Sequence, residues 1–145
     1  MPILNTATKV LVKPVPKFLS AKAHAVVDYM TVGSFLMSAA WLWPRNKRAA
    51  LAALICGGAG LALGLLTNYP GGVRKKAIGF HTHGEIDLGL AAMVATMPEF
   101  LAFKDDNEKK LFLAQGAIIT AVRELTEFPE KPSFAERVAE RRKAA

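Results

Sequence analysis

The chain has a single cysteine, Cys56, and only three histidines. One thiol cannot close an intrachain disulfide, and it offers nothing to a thiolate-based metal cluster. Cys56 stands inside an apolar run, where it reads as a small packing residue, so the redox compartment is left open. Catalytic signatures are missing too: there is no G-x-S-x-G, no phosphate-binding glycine loop and no H-E-x-x-H. Enzyme activity is therefore not expected. The N-terminal stretch carries Lys9, Lys13, Lys17 and Lys22 but no long apolar segment, so it does not read as a secretory signal and is expected to stay where it was made. Acidic residues are the minority, 12 against 19 Lys and Arg, for a net charge of +7. No basic stripe interleaved with aromatics accompanies that charge, so nucleic acid is not an expected partner.

What the sequence does contain is one pattern stated twice. His24-Ala-Val-Val-Asp28 returns as His83-Gly-Glu-Ile-Asp87, and Leu66-Thr67-Asn68-Tyr69-Pro70 returns as Leu125-Thr126-Glu127-Phe128-Pro129. Both motifs recur at an offset of 59, as do Leu42/Leu101, Leu54/Leu113, Gly57/Gly116 and Ala62/Ala121. A gapless register of this kind marks a duplicated structural unit.

Charge is segregated along the chain. Ala49–Leu66 holds 18 residues without a charge, the length at which a membrane-spanning helix becomes the default reading. Ala23–Trp43 is interrupted only by Asp28, and Leu88–Phe103 by Glu99 ahead of its terminal Phe103. Leu111–Val122 is short, yet it occupies the repeat position of the best span, and Lys110 and Arg123 at its ends can snorkel to headgroups. The expected fold is all-α: a four-transmembrane-helix bundle of two tandem two-helix repeats, with a soluble four-helix bundle as the alternative. Residues 1–22 form a basic interfacial arm, 23–70 the first hairpin, 71–81 a connector, 82–129 the second hairpin and 130–145 a charged C-terminal helix opened by Ser133-Phe134-Ala135-Glu136. Pro98 is expected to kink the third span. With four spans both termini share a face with the middle loop. The Lys and Arg excess there, 13 against 6 on the two hairpin turns, puts both termini in the cytoplasm of an inner-membrane protein. The lipid bilayer is then the first partner, and Ala49, Ala53, Gly57, Gly60 and Gly64, with Gly116 in the second half, provide close helix packing.

The polar residues inside these runs are the candidate site. An i, i+4 spacing puts His24 with Asp28, and His83 with Asp87, each pair on one helix face. Carboxylates opening long apolar runs normally face a bundle interior. The quartet is expected to converge at the cytoplasmic end, with Thr67, Asn68, Thr126 and Glu127 at its rim. The favoured reading is structural, each Asp orienting its own His or accepting from Thr67 or Thr126 to lock the helix ends. The alternatives are a metal or haem site, or a proton or solute path. His81 and Glu85 read as interfacial polar residues.

The acidic Asp28 opening the first helix, Gly33, then Ser38 and Trp41 late in that span, and Met97-Pro98 at the matching place in the third, resemble the SPW-repeat family of small bacterial membrane proteins. The likeness covers Ala23 to Pro129. It implies a multi-pass bacterial membrane protein and supplies no activity. The resulting expectation is a small multi-pass protein with a structural or interaction role, such as an accessory subunit of a membrane complex or a self-associating one. A metal-binding, haem-binding or proton-coupled protein built on the His/Asp quartet is the alternative.

Overall fold

A computed structural model describes residues 16–69, 77–128 and 134–143, with side chains left undescribed at 134–137 and 140. Its elements are α1 (Ala21–Leu42), α2 (Lys47–Leu66), β1 (Thr67–Asn68), β2 (Ile78–Gly79), α3 (Phe80–Phe100), α4 (Asp106–Leu125) and α5 (Phe134–Lys143). The described residues are all-α apart from two very short strands. Most of the N-terminal arm, much of the connector and the Ser133 cap lie outside the described residues.

Local chemistry explains where the helices begin. Ser20 accepts from the amide of Ala23 ahead of α1, and the Asn46 side chain accepts from Arg48 and Ala49 ahead of α2. Asp105 accepts from Asn107 ahead of α4, while Gly79 precedes α3 without a side-chain cap. These are short polar residues whose oxygens satisfy amides that have no partner inside the helix. The starts of α1 and α3 (21 and 80), and of α2 and α4 (47 and 106), are each 59 apart, as are the ends of α2 and α4 (66 and 125). Thr67 and Thr126, 59 apart, both leave their helices in extended conformation.

The helices outrun the apolar segments expected from sequence. α3 begins at Phe80, not Leu88, and takes in part of the expected connector. α4 runs the full Asp106–Leu125 and not only Leu111–Val122. Hydropathy sees only apolar stretches, whereas helices extend through charged turns wherever caps and tertiary contacts support them. Pro98 lies buried in the last turn of α3, which continues to Phe100. Among the described residues two helices, α1 and α2, are long and apolar enough to cross a membrane. α3 carries His81, His83, Glu85, Asp87 and Glu99, and α4 carries charges at both ends, so neither meets the same measure.

α1 packs along α2, and α3 along α4; the hairpins then meet α2 against α3 and α1 against α4. The apolar core combines small residues of α2 with Leu42, Val94, Ile119 and three phenylalanines, Phe35, Phe103 and Phe112. Ala49, Ala50, Ala52 and Ala53 of α2 are fully buried, and the rings of Phe35 and Phe112 meet across the hairpins at 5.9 Å. A side chain at Gly57 would stand 3.0 Å from the Phe35 Cβ, and one at Gly116 3.0 Å from the Ala91 carbonyl oxygen. Gly60 faces Val32 and Gly64 faces Tyr29. All four glycines therefore face protein neighbours.

At one end the chain crosses over. Thr67 and Asn68 pair in parallel with Ile78 and Gly79, and Leu19 bridges in parallel to Thr126. Since 78 − 19 and 126 − 67 are both 59, the two pairings are equivalent: each hairpin's exit is laced to the other's start. Leu19 donates to the Leu125 carbonyl at 2.9 Å and accepts from the Glu127 amide at 3.1 Å. This lacing fixes the depth of both threonines relative to the helix starts they face.

Candidate functional site

The site follows from that lacing. His24 and His83 sit on the first turns of α1 and α3 and point inward, as their i+4 neighbours Asp28 and Asp87 do. Both histidines and both threonines are fully or almost fully buried, Asp87 is buried and Asp28 is half-buried. The threonines cross over. Thr126, ending the second hairpin, holds His24 of the first; Thr67, ending the first, holds His83 of the second. Each Oγ1 lies 2.7 Å from the histidine Nδ1.

Hydrogen positions follow from counting donors. Thr67 Oγ1 donates to the Leu63 carbonyl and Thr126 Oγ1 to the Val122 carbonyl, both at 2.6 Å. A hydroxyl has one proton to give, so each threonine can only accept from its histidine. The Nδ1 atoms therefore carry hydrogen. In a neutral imidazole the opposite nitrogen, Nε2, is then a bare lone pair.

Those two Nε2 atoms face each other at 3.2 Å. Asp28 Oδ2 lies 3.2 Å from His24 Nε2 and 3.0 Å from His83 Nε2, and Asp87 Oδ2 lies 3.2 and 3.3 Å from the same atoms. With both imidazoles neutral, four acceptors converge on one point, two from each hairpin. Asp28 Oδ2 also accepts from the Tyr69 hydroxyl at 2.9 Å. Burial, and then the neighbouring Asp28 carboxylate, raises the Tyr69 phenol well above its ordinary range, so it remains a donor. Phe128 holds the matching position in the second half and has no hydroxyl, and among the described residues the buried Asp87 Oδ2 has only the two Nε2 atoms beside it and makes no well-formed hydrogen bond.

Aromatic rings close the end of the bundle over the quartet. Phe80 lies 4.7 Å from Phe128 and 5.6 Å from Tyr69, and Phe128 meets His24 edge-on at 5.7 Å. Phe128 reaches this place only because residue 84 is glycine: a Cβ there would come within 2.4 Å of its ring. Arg123 Nε donates to the Gly84 carbonyl at 3.2 Å, tying α4 to the start of α3. Inward of the quartet, a cavity of about 20 Å³ reaches Val32, Phe35, Cys56 and Ile119, room for one or two waters.

The four candidate residues named from sequence come together. Thr67 and Thr126 lie in direct contact with the histidines, not at a rim, and they hold histidines in place of the carboxylates expected to accept from them. The expectation that each Asp serves its own His is too narrow, because each carboxylate lies against both imidazoles. Asn68 is half-buried and Glu127 exposed, and both are held through their backbones. His81 and Glu85 pair at 3.5 Å on the half-exposed outer side. Tyr69 and Gly84 were not singled out by sequence, although the Tyr69/Phe128 mismatch within a repeated motif was a visible signal. No protein-family model, curated protein or solved structure matches this chain.

Proposed function

We propose that this chain is a multi-pass protein of the inner membrane: a four-span bundle of two equivalent hairpins, both termini cytoplasmic. In it, a buried polar centre holds positive charge between the hairpins and locks them into one compact subunit. Its role is structural or interactive, as an accessory part of a larger membrane assembly. The matching element boundaries at an offset of 59 are what a duplicated hairpin gives, and the likeness to the SPW-repeat family points to the same architecture.

The observation that carries this reading is the apolar exterior of the bundle. Its interior holds two histidines and an aspartate, while large apolar side chains face outward: Met30, Met37 and Trp41 of α1 are 60–75% exposed, and Phe100 of α3 is 83% exposed. Leu51, Leu54, Ile55 and Leu65 continue this surface on α2, and Leu113 and Ile118 on α4. Between residues 86 and 98 of α3, and 111 and 122 of α4, no charge breaks the outer face. Water disfavours an apolar exterior of this extent, whereas lipid favours it. Trp41 and Trp43 stand exposed beside the first hairpin turn, with the Arg45 guanidinium 4.3 Å over the Trp41 ring, as at a headgroup boundary.

Topology tests the proposal. Reporter fusions at Lys143 and within the Asp105–Glu108 turn are expected to report opposite compartments, with Lys143 cytoplasmic. Matching compartments would sink the four-span reading.

A further inference from the structure

We infer that the quartet of His24, Asp28, His83 and Asp87 is a binding site for one divalent transition-metal ion of the zinc class, held with two ligands from each hairpin. This deepens the reading of the centre as a holder of positive charge and rests on it, though not on the membrane topology. Three observations carry it.

The first is shape. Five of the six separations among His24 Nε2, His83 Nε2, Asp28 Oδ2 and Asp87 Oδ2 are 3.0–3.3 Å. All four ligating atoms lie within 4.8 Å of one another. A regular tetrahedron with edges of about 3.2 Å has its centre about 2.0 Å from every corner, the Zn–N and Zn–O bond length; the set is opened along its carboxylate–carboxylate edge, and an ion at the centre would draw those two oxygens together. The second is proton placement. Thr67 and Thr126 have their own protons committed to Leu63 and Val122, so both imidazoles carry hydrogen on Nδ1 and, in the neutral form that a metal ion requires, present a bare Nε2 inward. An outer partner that fixes the tautomer and ring angle is the usual companion of a metal-binding histidine. The third is the buried Asp87 Oδ2, aimed into the same point, where it lies against only the two Nε2 atoms and makes no well-formed hydrogen bond among the described residues. A buried carboxylate oxygen without a well-formed hydrogen bond is costly. A cation at the centre supplies what it lacks.

The donor set narrows the ion. Two nitrogens and two oxygens in a tetrahedral array suit Zn²⁺, with Co²⁺ as its spectroscopic substitute. Ca²⁺ requires six to eight oxygen ligands and Mg²⁺ an octahedral set, so neither fits. Cu⁺ and iron–sulfur clusters take thiolates, and Cys56 lines the cavity beyond the quartet. Haem does not fit either: axial imidazoles stand on opposite faces of the porphyrin, but these two nitrogens are 3.2 Å apart with carboxylates against both. Two carboxylates also balance a 2+ charge, so the centre is neutral within its aromatic and aliphatic walls. With all four corners supplied by protein, the site is closed, as in structural zinc sites. The ion would act as a brace between hairpins and not as a catalyst.

The test uses the full chain in detergent, exposed to Zn²⁺ or Co²⁺, desalted and assayed for bound metal, with helical content followed by circular dichroism. The expected result is about one Zn²⁺ per chain and, for Co²⁺, the intense visible absorption of a four-coordinate ion. Thr67→Val or Thr126→Val should weaken affinity by about 10- to 100-fold while the protein stays helical. Asp87→Asn should abolish retention, and His81→Ala, outside the quartet, should leave it unchanged. Less than a tenth of an equivalent of metal in helical protein overturns the metal site, as does the weak absorption of six-coordinate Co²⁺. The broader reading is tested separately by Asp28→Asn and Asp87→Asn. If their effects on stability remain non-additive without metal, the shared charged centre stands without the ion; additive effects remove both.

Discussion

The two hairpins share a register but not a composition, and the places where they differ are informative. Positions that build the polar centre are alike in both: His24/His83, Asp28/Asp87 and Thr67/Thr126. Positions in the apolar middle are matched only in sum. Phe35 of the first hairpin corresponds to Val94 of the second, and Ala53 to Phe112, yet Phe35 and Phe112 meet each other across the bundle. A polar network requires a fixed chemical group at every node, because a missing partner strands a buried donor or acceptor. A packed core requires only that total volume be filled, so large and small residues can change sides. Outward faces are freer again, and this is why α2 is uncharged over 18 residues while α4 carries charges in its first and last turns.

The strongest way to break this comparison is at the exchanged pair. Phe112→Ala empties the ring that packs on Phe35 and Phe103 and is expected to cost about 3–5 kcal/mol. Chemical or thermal unfolding in detergent measures it. Adding Ala53→Phe should not restore the loss, because Ala53 is itself fully buried on the other hairpin. Full rescue would mean that the halves are interchangeable in volume at each position, not only in sum.

A smaller effect is expected at the glycines that agree between halves. Gly57→Leu and Gly116→Leu push a side chain against Phe35 and against the Ala91 carbonyl, and each should cost about 1–3 kcal/mol. Gly58→Leu, with nothing within 4 Å of its added Cβ, should leave the melting temperature unchanged or raise it slightly. Equal melting of all three variants would show that the inferred helix contacts are wrong.

The smallest change sharpens the comparison inside the site. Tyr69→Phe makes the first hairpin match the second at this position and removes the donor to Asp28. A loss of about 1 kcal/mol is expected. No loss would mean that Asp28 is held by the histidines alone, and the asymmetry between the carboxylates would have no energetic content.

Much of this was legible before any coordinates. The offset of 59 located both His/Asp pairs and both threonine exits, and the i, i+4 spacing put each pair on one helix face. Helix ends were less legible: α3 takes in His81 and His83, and α4 its acidic first turn, since hydropathy does not register helices that continue through polar residues. Which group serves which was not legible at all. From sequence, Thr67 could serve its own hairpin or the other, and an aspartate one histidine or both.

By itself, then, the sequence determined two equivalent helical hairpins, their close-packing glycines and a pair of His/Asp faces, because these depend on local spacing and on periodicity along one chain. Only the tertiary structure decided that the faces meet. Helix rotation is set by packing against neighbours, and here the parallel lacing of Leu19 to Thr126 and Ile78 to Thr67 carries each threonine to the other hairpin's histidine. That exchange fixes both Nδ1 protons and turns four separately placed side chains into one centre.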